Sequence, residues 1–115
     1  MTLSFSDLRE ANEIRQAEWN PDEKLDLSYF GNAIAGEVGE ACNVIKKLER
    51  RRLGLRGSHS TNTELMDELA DVVIYADLIA QHIGHDLGSA VRDKFNATSE
   101  KYNLATRIPP HSGVE

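Results

Sequence analysis

The chain lacks several features that would each assign it to a class of protein. It has one cysteine, Cys42, so no intrachain disulfide can form, and a reducing compartment is the simple reading. Cys42 has no neighbours that would make it a nucleophile and reads as an ordinary thiol. There is no surplus of positive charge. Lysine and arginine number 13 against 19 aspartate and glutamate, for a formal net charge of -6 and a pI near 5.2. A binder of DNA or RNA polymers needs a basic face, and this balance argues against one. It leaves a small anionic ligand open, because a bound metal inverts the local sign. No apolar run approaches the roughly 20 residues of a membrane span. The opening "MTLSFSDLREANE" is acidic and polar, unlike a signal peptide, so a cytoplasmic location is expected.

What remains is ordinary soluble composition. With 115 residues, 40% hydrophobic and 28% charged, the chain suits one globular domain. Four helical segments can be read, and no convincing strand. The first covers about 6–19, with Ser4 and Asp7 at capping-box spacing and Phe5, Leu8, Ala11 and Ile14 as its apolar side. Asn20 and Pro21 end it.

The second helix covers 28–52, with Phe30, Ile34, Val38, Ala41, Ile45 and Leu48 as a core-facing stripe. A loop with Gly54 and Gly57 follows. The third helix is capped by Thr61, with Glu64 three residues on, and stops at Gly84. Its stripe is Leu65, Leu69, Val72, Ala76, Ile79 and Ile83, and apolar character extends to Val73, Tyr75 and Ala80. The fourth covers 87–102 behind Asp86, with Leu87, Val91, Phe95, Thr98 and Tyr102 as its stripe. Pro109 and Pro110 mark a tail, so the expected organisation is a helical domain at 1–103 and a tail at 104–115. The expected architecture is an all-α four-helix bundle completed by oligomerisation, since one copy is thin for helices of this length.

The stretch "GEVGE" at 36–40 raises a question within the second helix. Glycine costs about 1 kcal/mol relative to alanine there, and two glutamates stand beside an apolar stripe. At 100° per residue with Ile34 at zero, Glu37 falls at about -60° and Glu40 at about -120°. On the third helix, with Val72 at zero, Glu68 falls at about -40°, Tyr75 at about -60°, Glu64 at about -80° and Asp71 at about -100°. If the two helices pack antiparallel, both acidic edges face one cleft. Converging half-buried carboxylates repel, and a cation relieves that repulsion. All-oxygen ligation suits a hard ion, Mg²⁺ or Mn²⁺, and not zinc. A solvated face remains the alternative for either pair alone. The glycines read equally as close helix packing or as room for a ligand.

The order Glu37-x-x-Glu40, 27 intervening residues, Glu68-x-x-Asp71 resembles the signature of the MazG-like all-α nucleoside triphosphate pyrophosphohydrolases. "DLGSAVRDKFNATSEKY" is similar to that family's last helix, and the likeness spans about 19–102. The resemblance implies a four-helix MazG-like bundle, a homodimer or homotetramer, and Mg²⁺, with Mn²⁺ as a possible substitute. It implies hydrolysis of a (d)NTP to (d)NMP and pyrophosphate, as nucleotide-pool house-cleaning, with Glu37, Glu40, Glu68 and Asp71 as metal ligands and catalytic residues. Glu64 is an outer-shell candidate or only a cap.

Lys94 and Lys101 match basic positions that face phosphates in relatives. Asn96, Tyr75 and Trp19 are candidates for phosphate, sugar or base. Lys47 stands where some relatives carry a base-stacking aromatic, so it offers a phosphate contact or an ion pair instead. Arg50, Arg51, Arg52 and Arg56 read first as charge favourable to a helix C-terminus. Two alternatives stay open: phosphoribosyl-ATP or dUTP hydrolysis on the same scaffold, or a non-catalytic helical module that binds nucleotides or a protein.

Overall fold

The computed structural model describes residues 2–110. Its elements are α1 Phe5–Trp19, α2 Leu27–Arg52, α3 Asn62–His82 and α4 Leu87–Lys101, and the described residues hold no strand. The fold is all-α, as the periodicity indicates. Each helix opens on a residue whose side chain accepts a first-turn N–H: Ser4 from Asp7, Asp26 from Tyr29, Thr61 from Glu64 and Asp86 from Ser89. Caps of this kind contribute about 1 kcal/mol each. At Ser4 the box is reciprocal, with the Asp7 carboxylate accepting from the Ser4 N–H at 3.0 Å. At Thr61 it is not. The Glu64 carboxylate turns to the hydroxyl of buried Ser60 instead.

Helices α2 and α3 form the main contact of the molecule, and they run antiparallel. Phe30, early in α2, lies with its ring 5.6 Å from that of His82 at the end of α3. Arg51, late in α2, donates to the Ser60 carbonyl just before α3. The connection between them is stapled. Arg50 Nη1 donates to the Ser58 carbonyl at 3.0 Å, and the Leu55 N–H donates to the Arg50 carbonyl at 2.9 Å. Gly57 sits at φ +118° against the Arg50 side chain, which would lie 2.9 Å from an added Cβ. Arg52 pairs with Glu49. Three of the four arginines of this segment therefore serve the helix end and its loop.

Helix α1 departs from its sequence pattern. Phe5 and Ile14, expected on its apolar side, are 41% and 59% exposed. Its buried residue is Asn12. Asn12 Nδ2 donates to the Asp77 carboxylate at 2.9 Å, and Arg9 Nε donates to the same group at 3.2 Å. Asp77 is 1% exposed, so its charge is affordable only because Arg9 and Asn12 face it. Arg9 Nη2 also donates to the His85 carbonyl, which ties the turn before α4 to α1. A buried polar node, not an apolar ridge, docks α1 on α3.

Helix α4 contacts α3 and α1 but not α2. Beyond it, Asn96 gives its amide hydrogen to the Ile108 carbonyl and accepts the Ile108 N–H, at 2.9 and 2.8 Å, which holds the segment after α4 alongside the helix.

Many stripe residues are open to solvent. Val38, Ile45, Leu69, Ile83, Val91 and Phe95 are each 40% exposed or more. The buried apolar set is Phe30, Ala41, Val44, Leu78 and Ala80. The radius of gyration is 17.4 Å, where a compact chain of this length would have about 13 Å. One copy leaves its apolar faces partly uncovered.

Candidate metal centre

The antiparallel pairing brings the two acidic edges together in mid-helix. A carboxylate oxygen from each of Glu37, Glu40 and Glu68 lies within 4.8 Å of the others. Asp71 stands beside Glu37, close enough to act on its titration by both contact and charge. The four residues singled out by their spacing are thus one cluster, shared equally between α2 and α3.

Its electrostatics are those of a set lacking a counter-charge. The Glu37 carboxyl is pushed above the usual carboxylate range by burial first, and then by Asp71 and Glu40. Glu68 is pushed up by its contact with Glu40 first, then by burial and the remaining acids. One oxygen of Glu37 and one of Glu68 are buried with no hydrogen-bond partner. Among the described residues no lysine or arginine forms an ion pair with any of the four. Orphaned buried oxygens on converging carboxylates fit a hard divalent cation, which takes oxygen ligands and neutralises the set. Glu64, turned to Ser60, is engaged elsewhere.

"GEVGE" is also clarified. A Cβ added at Gly36 or Gly39 would meet nothing within 4 Å. Close packing inside this chain is therefore not why they are glycines, and the space beside the acids is open.

A cleft leads away from the acids between α1 and α3. Its inner compartment, about 250 Å³, has Asn12, Arg15, Gln16 and Trp19 on the α1 wall and Asp71, Ile74, Tyr75 and Leu78 on the α3 wall, with Glu37 at the floor. Four residues at i, i+3, i+4 and i+7 on each helix make the two walls. The outer compartment, about 610 Å³, continues past Gln16 and Leu78 to the 20–25 segment, Phe30, Gln81 and His82. The outer volume falls within the roughly 300–1,000 Å³ of small-molecule sites, and the inner one is smaller. Trp19 and Tyr75, two of the candidates, both line the inner compartment. Burial raises the Tyr75 hydroxyl above its ordinary pKa, with Tyr29, Glu37 and Asp71 adding to it, so the phenol keeps its proton.

The other candidates lie elsewhere. Lys94, Asn96 and Lys101 are on α4, and none lines either compartment. The Asn96 amide is engaged with Ile108, and Lys101 lies over the Tyr102 ring, 5.4 Å from its centroid. Lys47 is on α2, outside both compartments. Sequence reasoning missed Arg15, Gln16 and Asn12. Their signal was weak: three polar residues on a short helix, of which Asn12 is buried against Asp77.

The fold and site thus define a helical protein with a cluster of carboxylates beside a cleft between α1 and α3. The sequence model of the MazG nucleotide pyrophosphohydrolase domain matches residues 28–109, well over half of the chain, and the chain belongs to that family. No curated protein matches it. The matched span takes in α2, α3 and α4 and leaves out α1.

Proposed function

We propose that the chain is a Mg²⁺-dependent nucleoside triphosphate pyrophosphohydrolase, with Mn²⁺ as a substitute, converting a (d)NTP to the (d)NMP and pyrophosphate. The observation that carries this reading is the convergence of Glu37, Glu40 and Glu68, with Asp71 beside Glu37 and two buried oxygens unpartnered. These four would hold the cation. When bound, it supplies Lewis acidity toward the phosphate chain and neutralises the developing charge. Glu37 and Asp71 border both cage and cleft, so phosphates at the cage place the nucleoside between α1 and α3. There Trp19 and Tyr75 offer faces for stacking, and Arg15 offers a positive charge. Water cleaves the anhydride between the α and β phosphates, and a carboxylate of the set accepts its proton.

The working form is a homo-oligomer, dimer or tetramer. The accessible surface is 8556 Å², against about 6,300 Å² for a compact monomer of this mass. Such an excess fits the 2,000 Å² or more of an obligate interface. A leaving pyrophosphate calls for positive charge. Since α4 does not touch α2, Lys94 and Lys101 reach an acid cage in this reading as part of a second copy's site. Removal of unwanted nucleotides from the cellular pool is the role that such chemistry suits.

The test is product analysis over a panel of NTPs and dNTPs with Mg²⁺ or Mn²⁺. Pyrophosphate and a monophosphate are expected in equal amounts. Turnover of no triphosphate with either metal, or orthophosphate as the first product, rejects the proposal.

A further inference from the structure

Among the described residues, four buried side-chain atoms lack a hydrogen-bond partner, and all four lie at this site. Two belong to the acids. The others are Gln16 Nε2 and Gln81 Oε1. Both glutamines line the outer compartment, and Gln16 also lines the inner one. Leaving a buried amide hydrogen unmet costs roughly 1–3 kcal/mol, so a folded protein that keeps one has a use for it.

The polarity of Gln16 is set by its neighbours. The Lys24 N–H donates to Asn20 Oδ1 at 3.1 Å. A backbone N–H can only donate, so that contact fixes which end of the Asn20 amide is oxygen. Asn20 Nδ2 then donates to Gln16 Oε1 at 3.2 Å. With its oxygen taken, Gln16 has Nε2 left, a buried pure donor on a residue that lines both compartments. Asn20 itself is anchored as the C-cap of α1, its N–H on the Gln16 carbonyl. The relay runs from backbone to Asn20 to Gln16 and presents a donor of fixed sign. A nucleobase is distinguished by the order of donors and acceptors along its edge.

We propose that Gln16 reads the nucleobase, its Nε2 donating to a ring nitrogen or carbonyl oxygen of the base, with Asn20 as the positioning residue that sets this polarity. The inference rests on the proposed triphosphate hydrolysis. It concerns α1, which lies outside the residues that the family model matches. Gln81 Oε1 adds an acceptor to the outer compartment.

The experiment compares kcat and KM for dATP, dGTP, dCTP and dTTP in the wild type, Gln16→Leu and Asn20→Asp. Gln16→Leu removes the donor. The ratio of kcat/KM between best and worst base should shrink about tenfold or more, mainly through KM, as a site built on one hydrogen bond loses its grip on the right base. Asn20→Asp keeps the acceptor for Lys24 but removes the donor to Gln16. The Gln16 amide then turns over and shows its oxygen, so the base ranking should shift toward bases with a donor at that edge.

A metal-induced rise in melting temperature equal to the wild type's shows that each variant has kept its cage. Unchanged ranking and spread in both variants overturns this inference alone, and so does a wild type that treats all four bases alike. A wild type that hydrolyses no triphosphate overturns the proposed function and this inference with it.

Discussion

Replacing Glu68 by glutamine should move stability in opposite directions with and without metal. Glu68 stands against Glu40, with Glu37 and Asp71 close by, and one of its oxygens is buried without a partner. In the metal-free protein, glutamine removes a charge that three acids repel and adds an N–H that Glu40 can accept. The variant should therefore melt higher than the wild type in chelator. With metal the order reverses. A cation that binds only the native state at a hundred times its Kd stabilises by about 2.7 kcal/mol. An unfolding entropy of about 2.1 cal/mol/K per residue over 115 residues is about 0.24 kcal/mol/K, so the wild type should gain about 11 °C.

Loss of an outer-shell partner alone costs 10- to 100-fold in metal affinity, so loss of a ligand should cost at least about 100-fold. At the same metal concentration most of the 11 °C then disappears. Differential scanning fluorimetry of both proteins, at matched protein concentration in EDTA and across a Mg²⁺ titration, reads all four melting points. Should Glu68→Gln melt lower in EDTA and still gain the full shift in Mg²⁺, the acids neither repel one another nor share a cation, and the argument for the cage fails.

Other outcomes follow from the same geometry. Metal-free stability should rise as pH falls from neutral toward the carboxylate range. The folded-state pKa values of Glu37 and Glu68 are raised, so the native state binds more protons there than the unfolded state, and chelated urea midpoints should increase on acidification. Asp77→Ala should destabilise by about 2–4 kcal/mol in urea unfolding, because it strands the half-buried Arg9 charge and the buried Asn12 amide. A loss below 1 kcal/mol would mean that the node does not hold α1. Lys94→Ala and Glu40→Gln chains, each inactive, should recover about a quarter of wild-type activity when refolded together, since half the dimers then carry one intact site. Recovery of none places Lys94 outside the partner's site.

Helix existence and the four acids were legible because both depend on local repeats. A 3.6-residue period fixes which side chains share a face, whatever lies opposite. The pairing of Glu37 with Asp71 and of Glu40 with Glu68 needed one further assumption, antiparallel packing of neighbours, which a short connection favours. The docking of α1 was not legible. Asn12 is buried because Asp77, far along the chain, faces it, and no window of sequence around Asn12 contains that partner. Of the stripes read on α2, α3 and α4, only Phe30 and Ala41 are buried, while Val44, Leu78 and Ala80, outside those stripes, join them in the core. Val38, Leu69 and Phe95 remain 40% exposed or more, because one copy has nothing to set against them. Gln16 escaped for a third reason. Its importance lies in a hydrogen bond that is missing, and a missing partner leaves no mark on composition or period.

The stapled connection between α2 and α3 has a kinetic consequence. All four acids fall within one helix hairpin, between Glu37 and Asp71, closed by Arg50 and the Gly57 turn. Contacts this local form early when a chain collapses, before α1 and α4 can be recruited. The hairpin must therefore zip up against its own charge, four carboxylates converging while the rest of the protein is still unformed. A divalent cation present at that moment removes the repulsion from the rate-limiting encounter. On the proposed function, the ion bound for the chemistry would thus also ease the closing of the hairpin that holds it.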